Sequence, residues 1–182
     1  DHLSLGGTVP LSIHEYVTTV GVTLVLPNDI YINAPFDKWY CDNPEAVLDL
    51  DGDARGLVVY FRGEAFPAQA LPLPGYLDQV DKKGRRVTNT VMSHTDRIRV
   101  SPIFGCSFRC EFCDFWGKKY LKRPAEQLLA GIKIARQDSN LHAKHILISG
   151  GTPSARSYEY IDDVYQQVIE KSGLPVDVML AP

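Results

Sequence analysis

The sequence predicts an α/β fold with parallel strands, preceded by a smaller β-rich segment. Three observations lead there. From Arg97 onward strand-like and helix-like stretches alternate, the order that builds parallel βαβ units. His145-Ile-Leu-Ile-Ser149 is an unbroken apolar run, as found in strands covered on both faces. Before residue 95 the apolar residues fall instead in short alternating runs closed by turn residues. The expected division is therefore a β-rich segment 1–95 of unassigned role and an α/β core 96–182.

The first nineteen residues are weakly patterned, and Gly6-Gly7 and Pro10 suggest a loop or arm. The chain opens on Asp1 rather than Met, so a trimmed or processed terminus is expected. Val20–Leu26 and Asp29–Asn33 read as a hairpin around Pro27-Asn28. Ala46–Leu50 and Gly56–Phe61 read as a second hairpin around Asp51-Gly52-Asp53. The alternate acids Asp49, Asp51 and Asp53 suggest a calcium loop, but Ala54 stands where Gly is needed and Tyr60 where Glu is needed. Pro67, Pro72 and Pro74 suit an extended connector or an edge strand, not a central one. Asp81-Lys-Lys-Gly-Arg-Arg86 reads as a solvated turn, with phosphate binding as the sharper alternative.

In the core, Arg97–Ile103 is the first strand. Pro124 suits the first position of a helix, where its missing N–H leaves nothing unmade. Leu128, Leu129, Ile132, Ile134 and Ala135 give that helix one apolar face, and Asp138-Ser-Asn140 ends it. The strand at 145–149 breaks at Gly150-Gly151-Thr152-Pro153. Ser157 is the expected N-cap of a second helix, with Ile161, Val164, Tyr165 and Val168 on its apolar face. Gly173 and Pro175 stop it, and Pro175–Ala181 reads as the third strand.

Composition narrows the function. Of 182 residues, 45% are hydrophobic and 23% charged, the balance of an ordinary folded domain. The net charge of −3 gives no support to a general nucleic-acid binder. No apolar run approaches the roughly 18 residues of a membrane span, and no secretory signal pattern opens the chain. Three of the four cysteines fall within residues 106–113, which is not a disulfide framework and fits a reducing, cytoplasmic setting. Cys41 reads as a free thiol.

The chemistry gathers on Cys106-Ser-Phe-Arg-Cys110-Glu-Phe-Cys113, spaced C-x3-C-x2-C. Soft thiolates suit zinc, copper(I) or an iron–sulfur cluster, and three of them on one loop hold three corners of a site. A histidine, His94, His142 or His145, could close it as structural zinc. The thiols could also merely lie near one another. Lys118, Lys119, Lys122 and Arg123 come after the loop, either as a solvated approach to the helix or to offset an anionic cluster and substrate.

This spacing resembles the cluster loop of the radical S-adenosylmethionine (radical SAM) superfamily. The resemblance implies that Cys106, Cys110 and Cys113 hold three irons of a [4Fe–4S] cluster and that SAM chelates the fourth. It places Phe112 beside the SAM adenine. Gly150-Gly151-Thr152-Pro153 resembles the family's Gly-Gly-Glu stretch, whose backbone binds the amino end of SAM. Thr152 stands where many members carry an acid. The implied fold is the N-terminal half of a partial (βα) barrel whose active loops extend from the strands' C-terminal ends. Family barrels hold more strand–helix units than are found here, so a fragment of a longer enzyme is expected, or a barrel completed by another segment.

The implied activity is reductive cleavage of SAM to a 5′-deoxyadenosyl radical that takes hydrogen from an unidentified substrate. A low-potential donor such as flavodoxin or ferredoxin is the implied partner, and no membrane or nucleic acid is expected. No catalytic acid or base stands out. The alternatives are a non-catalytic zinc or iron–sulfur module and a radical SAM-like subunit that has lost activity.

Overall fold

The computed structural model describes residues 21–35, 46–50, 57–111 and 115–179. The chain divides into two units, Asp1–Pro72 and Leu73–Pro182.

The first unit is a five-stranded antiparallel sheet of β1 (Gly21–Leu26), β2 (Ile30–Pro35), β3 (Ala46–Leu50), β4 (Leu57–Phe61) and β5 (Glu64–Ala70), ordered β2-β1-β5-β4-β3. Both expected hairpins form. Leu26 pairs with Ile30, and Asn28 and Asp29 take positive φ between them. Leu50 pairs with Leu57, and the acidic turn between them lies outside the described residues. The expectation for the Pro67 segment is corrected, because β5 is the central strand. Proline is tolerated there because β1 joins β5 only at Gln69 and Ala70, whereas Pro67 pairs only with Val58 of β4. Leu24, Val59, Ala68 and Leu71 are buried.

The second unit is α/β. A four-stranded sheet runs β11-β10-β7-β6, formed by β6 (Val91–His94), β7 (Arg97–Val100), β10 (His145–Ile148) and β11 (Val176–Val178). β7, β10 and β11 are parallel. Helix α1 (Ala125–Arg136) connects β7 to β10, and α2 (Tyr158–Lys171) connects β10 to β11. Two short strands, β8 (Ile103–Phe104) and β9 (Leu121–Lys122), pair antiparallel after β7. Both helices pack on one face of the sheet. Ile98, Val100, Ile146 and Ile148 are fully buried there against Leu128, Ile132, Ala135, Val164 and Val168.

Three expectations change. The sheet has a fourth strand: β6 pairs antiparallel with β7 through a turn at Thr95-Asp96, where Thr95 has positive φ. The strand expected over 97–103 ends at Val100, and Ile103-Phe104 turns away to pair with Leu121-Lys122. Pro124 caps α1 with extended backbone instead of occupying its first turn.

The residues before 95 that the sequence assigns to the β-rich segment also divide. Those from Leu73 lie with the second unit. Tyr76, Val87 and Val91 join the α/β core. The Tyr76 hydroxyl donates to Ser93 Oγ (2.7 Å) and accepts from the Ser93 N–H (2.6 Å). Buried Asp138, just past α1, accepts from the Gly75 and Asn140 N–H groups. The basic turn closes on its own acid: Asp81 accepts from the Lys83 and Arg85 N–H groups and pairs with the Arg85 guanidinium at 2.6 Å. The hydrogen bonds from Arg85, first of these causes, hold the Asp81 carboxyl down at about 2. No helix among the described residues is long and apolar enough to cross a membrane.

Candidate functional site

The C-terminal ends of β7 and β10 are neighbours, because Val100 and Ile148 are partners in register. The segments leaving those two ends must therefore meet. After β7, the β8–β9 pair brackets residues 105–120 and presents the cysteine segment as one loop. After β10 comes Gly150–Pro153.

The two loops are bonded to each other. The Ser107 N–H donates to the Thr152 carbonyl (3.1 Å). The Ser107 hydroxyl reaches the carbonyls of Thr152 (3.0 Å) and Pro153 (2.9 Å). In return the Thr152 N–H donates to Cys106 Sγ (3.2 Å), as does the Phe108 N–H (3.4 Å).

The glycines explain how two backbones come so close. Gly150 has φ +136°, a conformation side chains rarely adopt. A Cβ on Gly151 would overlap the Gly105 carbonyl oxygen and stand 3.0 Å from Cys106 Cα. The sequence assigns these glycines to close approach by a ligand. In the fold Gly151 lies against the cysteine loop at Gly105 and Cys106, and Gly150 against Ile103 and Ser101 just before that loop.

Cys106 and Cys110 are half-buried free thiols. Burial works to raise the Cys106 thiol, but the N–H groups of Phe108 and Thr152 overcome it, and the net shift is downward. A thiol displaced towards its thiolate is prepared for a metal. Cys113 and Phe112 lie outside the described residues, as does Cys41. The donor set fits an iron–sulfur group: Cys106 and Cys110 stand on one partly open loop, with backbone donors facing sulfur.

Among the described residues no three His, Cys, Asp or Glu side chains group as a metal site. The histidines His94 and His145, which could close a zinc site, lie at the other end of the sheet. His145 begins β10, and His94 pairs with Arg97 at the start of β7. A four-residue strand separates that end from the cysteine loop by about 10 Å.

Of the basic residues after the loop, Lys122 and Arg123 make contacts within the fold. Arg123 donates to the Ser101 carbonyl (2.6 Å) and lies over the Phe104 ring. Lys122 lies over the Tyr160 ring. The Tyr160 hydroxyl accepts from the Arg123 N–H (2.9 Å) and donates to the Pro102 carbonyl (2.9 Å), tying α2 to the β8–β9 clasp.

Sequence reasoning missed Ser107 and Tyr120. The Tyr120 hydroxyl accepts from the Ser154 N–H (3.0 Å) and donates to Ser157 Oγ (3.2 Å), which anchors the glycine loop from the far side. Ser157 sits at the expected N-cap of α2, but its side chain makes no capping bond. No sequence signal marks Ser107 or Tyr120, since their partners are more than thirty residues away.

No curated protein and no solved structure matches the chain. The family model described as Radical SAM superfamily matches residues 100–177, from the last residue of β7 through the cysteine and glycine loops into β11. Over that span the chain is similar to the radical SAM superfamily, with no branch of the superfamily assigned.

Proposed function

We propose that this chain carries the cluster- and SAM-binding part of a radical SAM enzyme. One observation carries the reading: within the matched region, the cysteine loop and the glycine loop are hydrogen-bonded to each other at the ends of adjacent parallel strands. Cys106, Cys110 and Cys113 would hold a [4Fe–4S] cluster. The Thr152 and Phe108 N–H groups would help keep Cys106 as thiolate. Gly150, Gly151, Thr152 and Pro153 would offer backbone groups to SAM beside that cluster, with Phe112 against its adenine. When bound and reduced, a cluster at these cysteines would supply the electron for reductive cleavage of SAM to methionine and a 5′-deoxyadenosyl radical able to take hydrogen from a substrate. No residue of the described set is required as acid or base for that step.

The same reading makes the four-stranded sheet the start of a partial (βα) barrel, with the β-rich segment serving specificity. A low-potential flavodoxin or ferredoxin would deliver the electron in the cytoplasm.

The test is anaerobic reconstitution with iron and sulfide, then addition of dithionite and SAM. The expected result is about four irons per chain and release of 5′-deoxyadenosine. Cys106→Ala, Cys110→Ala and Cys113→Ala are each expected to lose the intact cluster and the product. Undiminished product in any one of them would remove that cysteine from the ligand set.

A further inference from the structure

The four-stranded sheet has a second face, and register assigns its residues. Ile98, Val100, Ile146 and Ile148 are fully buried under the helices, so the residues alternating with them face the other way. One cross-strand row on that face is Met92, Arg99, Leu147 and Asp177. The next is His94, Arg97 and His145. Two arginines and two histidines thus share a small surface with one carboxylate.

That carboxylate does not neutralise the arginines. Asp177 is exposed and lies 3.4 Å from His145 Nε2. Among the described residues no hydrogen bond or ion pair holds the guanidinium of Arg97 or Arg99. Arg99 is nevertheless half-buried in the middle of the sheet, between Met92 and Leu147. Burial, and then the repulsion of Arg97, lower its hold on its proton. His94 is lowered likewise, by burial first and then by Arg97 and Arg99. A half-buried cation facing a like charge is unfavourable unless an anion joins it. An ordinary half-buried strand would carry an apolar or uncharged residue in that place.

We propose that this face binds the phosphate group of a small-molecule substrate through Arg99 and Arg97. The guanidinium fork matches phosphate with two parallel donors. Alternate positions on one strand put the two side chains about 7 Å apart at their bases, within reach of one dianionic group. The term substrate rests on the radical SAM reading; the binding of the anion does not.

The experiment is thermal denaturation of the full chain with rising inorganic phosphate or pyrophosphate, at ionic strength held constant with chloride. Wild type is expected to show a saturable rise in Tm. Arg99→Gln is expected to weaken binding at least tenfold, and Arg97→Gln several-fold. Arg99→Lys keeps the charge without the fork and is expected to lie between wild type and Arg99→Gln. Cys110→Ala, which cannot hold the cluster, is expected to bind phosphate as wild type does. That separates this proposal from the cluster assignment, since either can fail while the other stands. No saturable effect, or equal binding by wild type and Arg99→Gln, would overturn the site. Displacement of phosphate by SAM in the reconstituted protein would assign the arginines to the SAM carboxylate and overturn the substrate reading.

Discussion

The two faces of the four-stranded sheet are built from the same strands and differ completely. On one, Ile98, Val100, Ile146 and Ile148 lie fully buried under α1 and α2. On the other, Arg97 is exposed, and Arg99, Leu147, His94 and His145 are only half-buried. Alternation along a strand separates two tasks residue by residue. The first face holds the fold together by burying apolar surface. The second keeps charged groups that contribute nothing evident to stability. The strands' C-terminal ends belong to neither face, and there the cysteine and glycine loops bind each other.

The largest expected effect is at those ends. Gly151→Val would drive a side chain into the Gly105 carbonyl and against Cys106 Cα. The cysteine loop must then shift, so loss of most reconstituted iron is expected, together with loss of SAM binding. Iron content at the wild-type level with only SAM binding impaired would mean that Gly151 serves the ligand alone. Thr152→Ala keeps the N–H donated to Cys106 and loses only the Thr152 side-chain bond to that thiol, so a smaller loss of iron than in Gly151→Val is expected.

Next comes the contrast between faces. Ile146→Ala removes a fully buried side chain and is expected to cost about 2–5 kcal/mol. Its neighbour Leu147→Ala, half-buried on the open face, is expected to cost about 1 kcal/mol. Urea denaturation of the pair measures the difference. Equal losses would show that the open face is packed as tightly as the helix-covered one.

Tyr160 lies outside the sheet, on α2. Tyr160→Phe removes a hydroxyl that satisfies the Arg123 N–H and the Pro102 carbonyl, and a cost of about 1–3 kcal/mol is expected. Burial, offset in part by its bond and charge contact with Arg123, pushes this hydroxyl up to about 12 from an ordinary 10.0. The folded state therefore holds the proton more tightly than the unfolded chain. That contribution is whole below pH 10 and is lost as pH rises towards 12. Wild type should thus lose more stability than Tyr160→Phe across that window, as read from urea midpoints on either side of it.

Much of the fold is legible in the sequence because the signals are local. The apolar run at 145–148, the stripes of α1 and α2, both hairpins of the first unit and the order strand–helix–strand each lie within a short window. The two loops are legible too, since cysteine spacing and a Gly-Gly pair survive without knowledge of their neighbours. The rest depends on partners far along the chain. β6 is four residues long and is defined by its pairing with β7; the alternation of Val91-Met92-Ser93-His94 before Thr95-Asp96 is its only trace. β8 and β9 are two residues each and exist only as a pair. Pro67 is misplaced by the sequence because nothing local reveals that β1 stops short of it. Arg123 has the look of a cluster neighbour, but its guanidinium is taken by Ser101 and Phe104. The alternation of Arg97-Ile98-Arg99-Val100 does announce a polar face, though its half-burial comes only from the fold.

The central claim is that the cysteine loop holds a cluster with an iron open to SAM. Low-temperature EPR of the anaerobically reconstituted, reduced protein, recorded with and without SAM, tests it most directly. A [4Fe–4S] signal that changes when SAM is added is the predicted result. A protein that takes up zinc instead of iron, or a cluster signal indifferent to SAM, would contradict it.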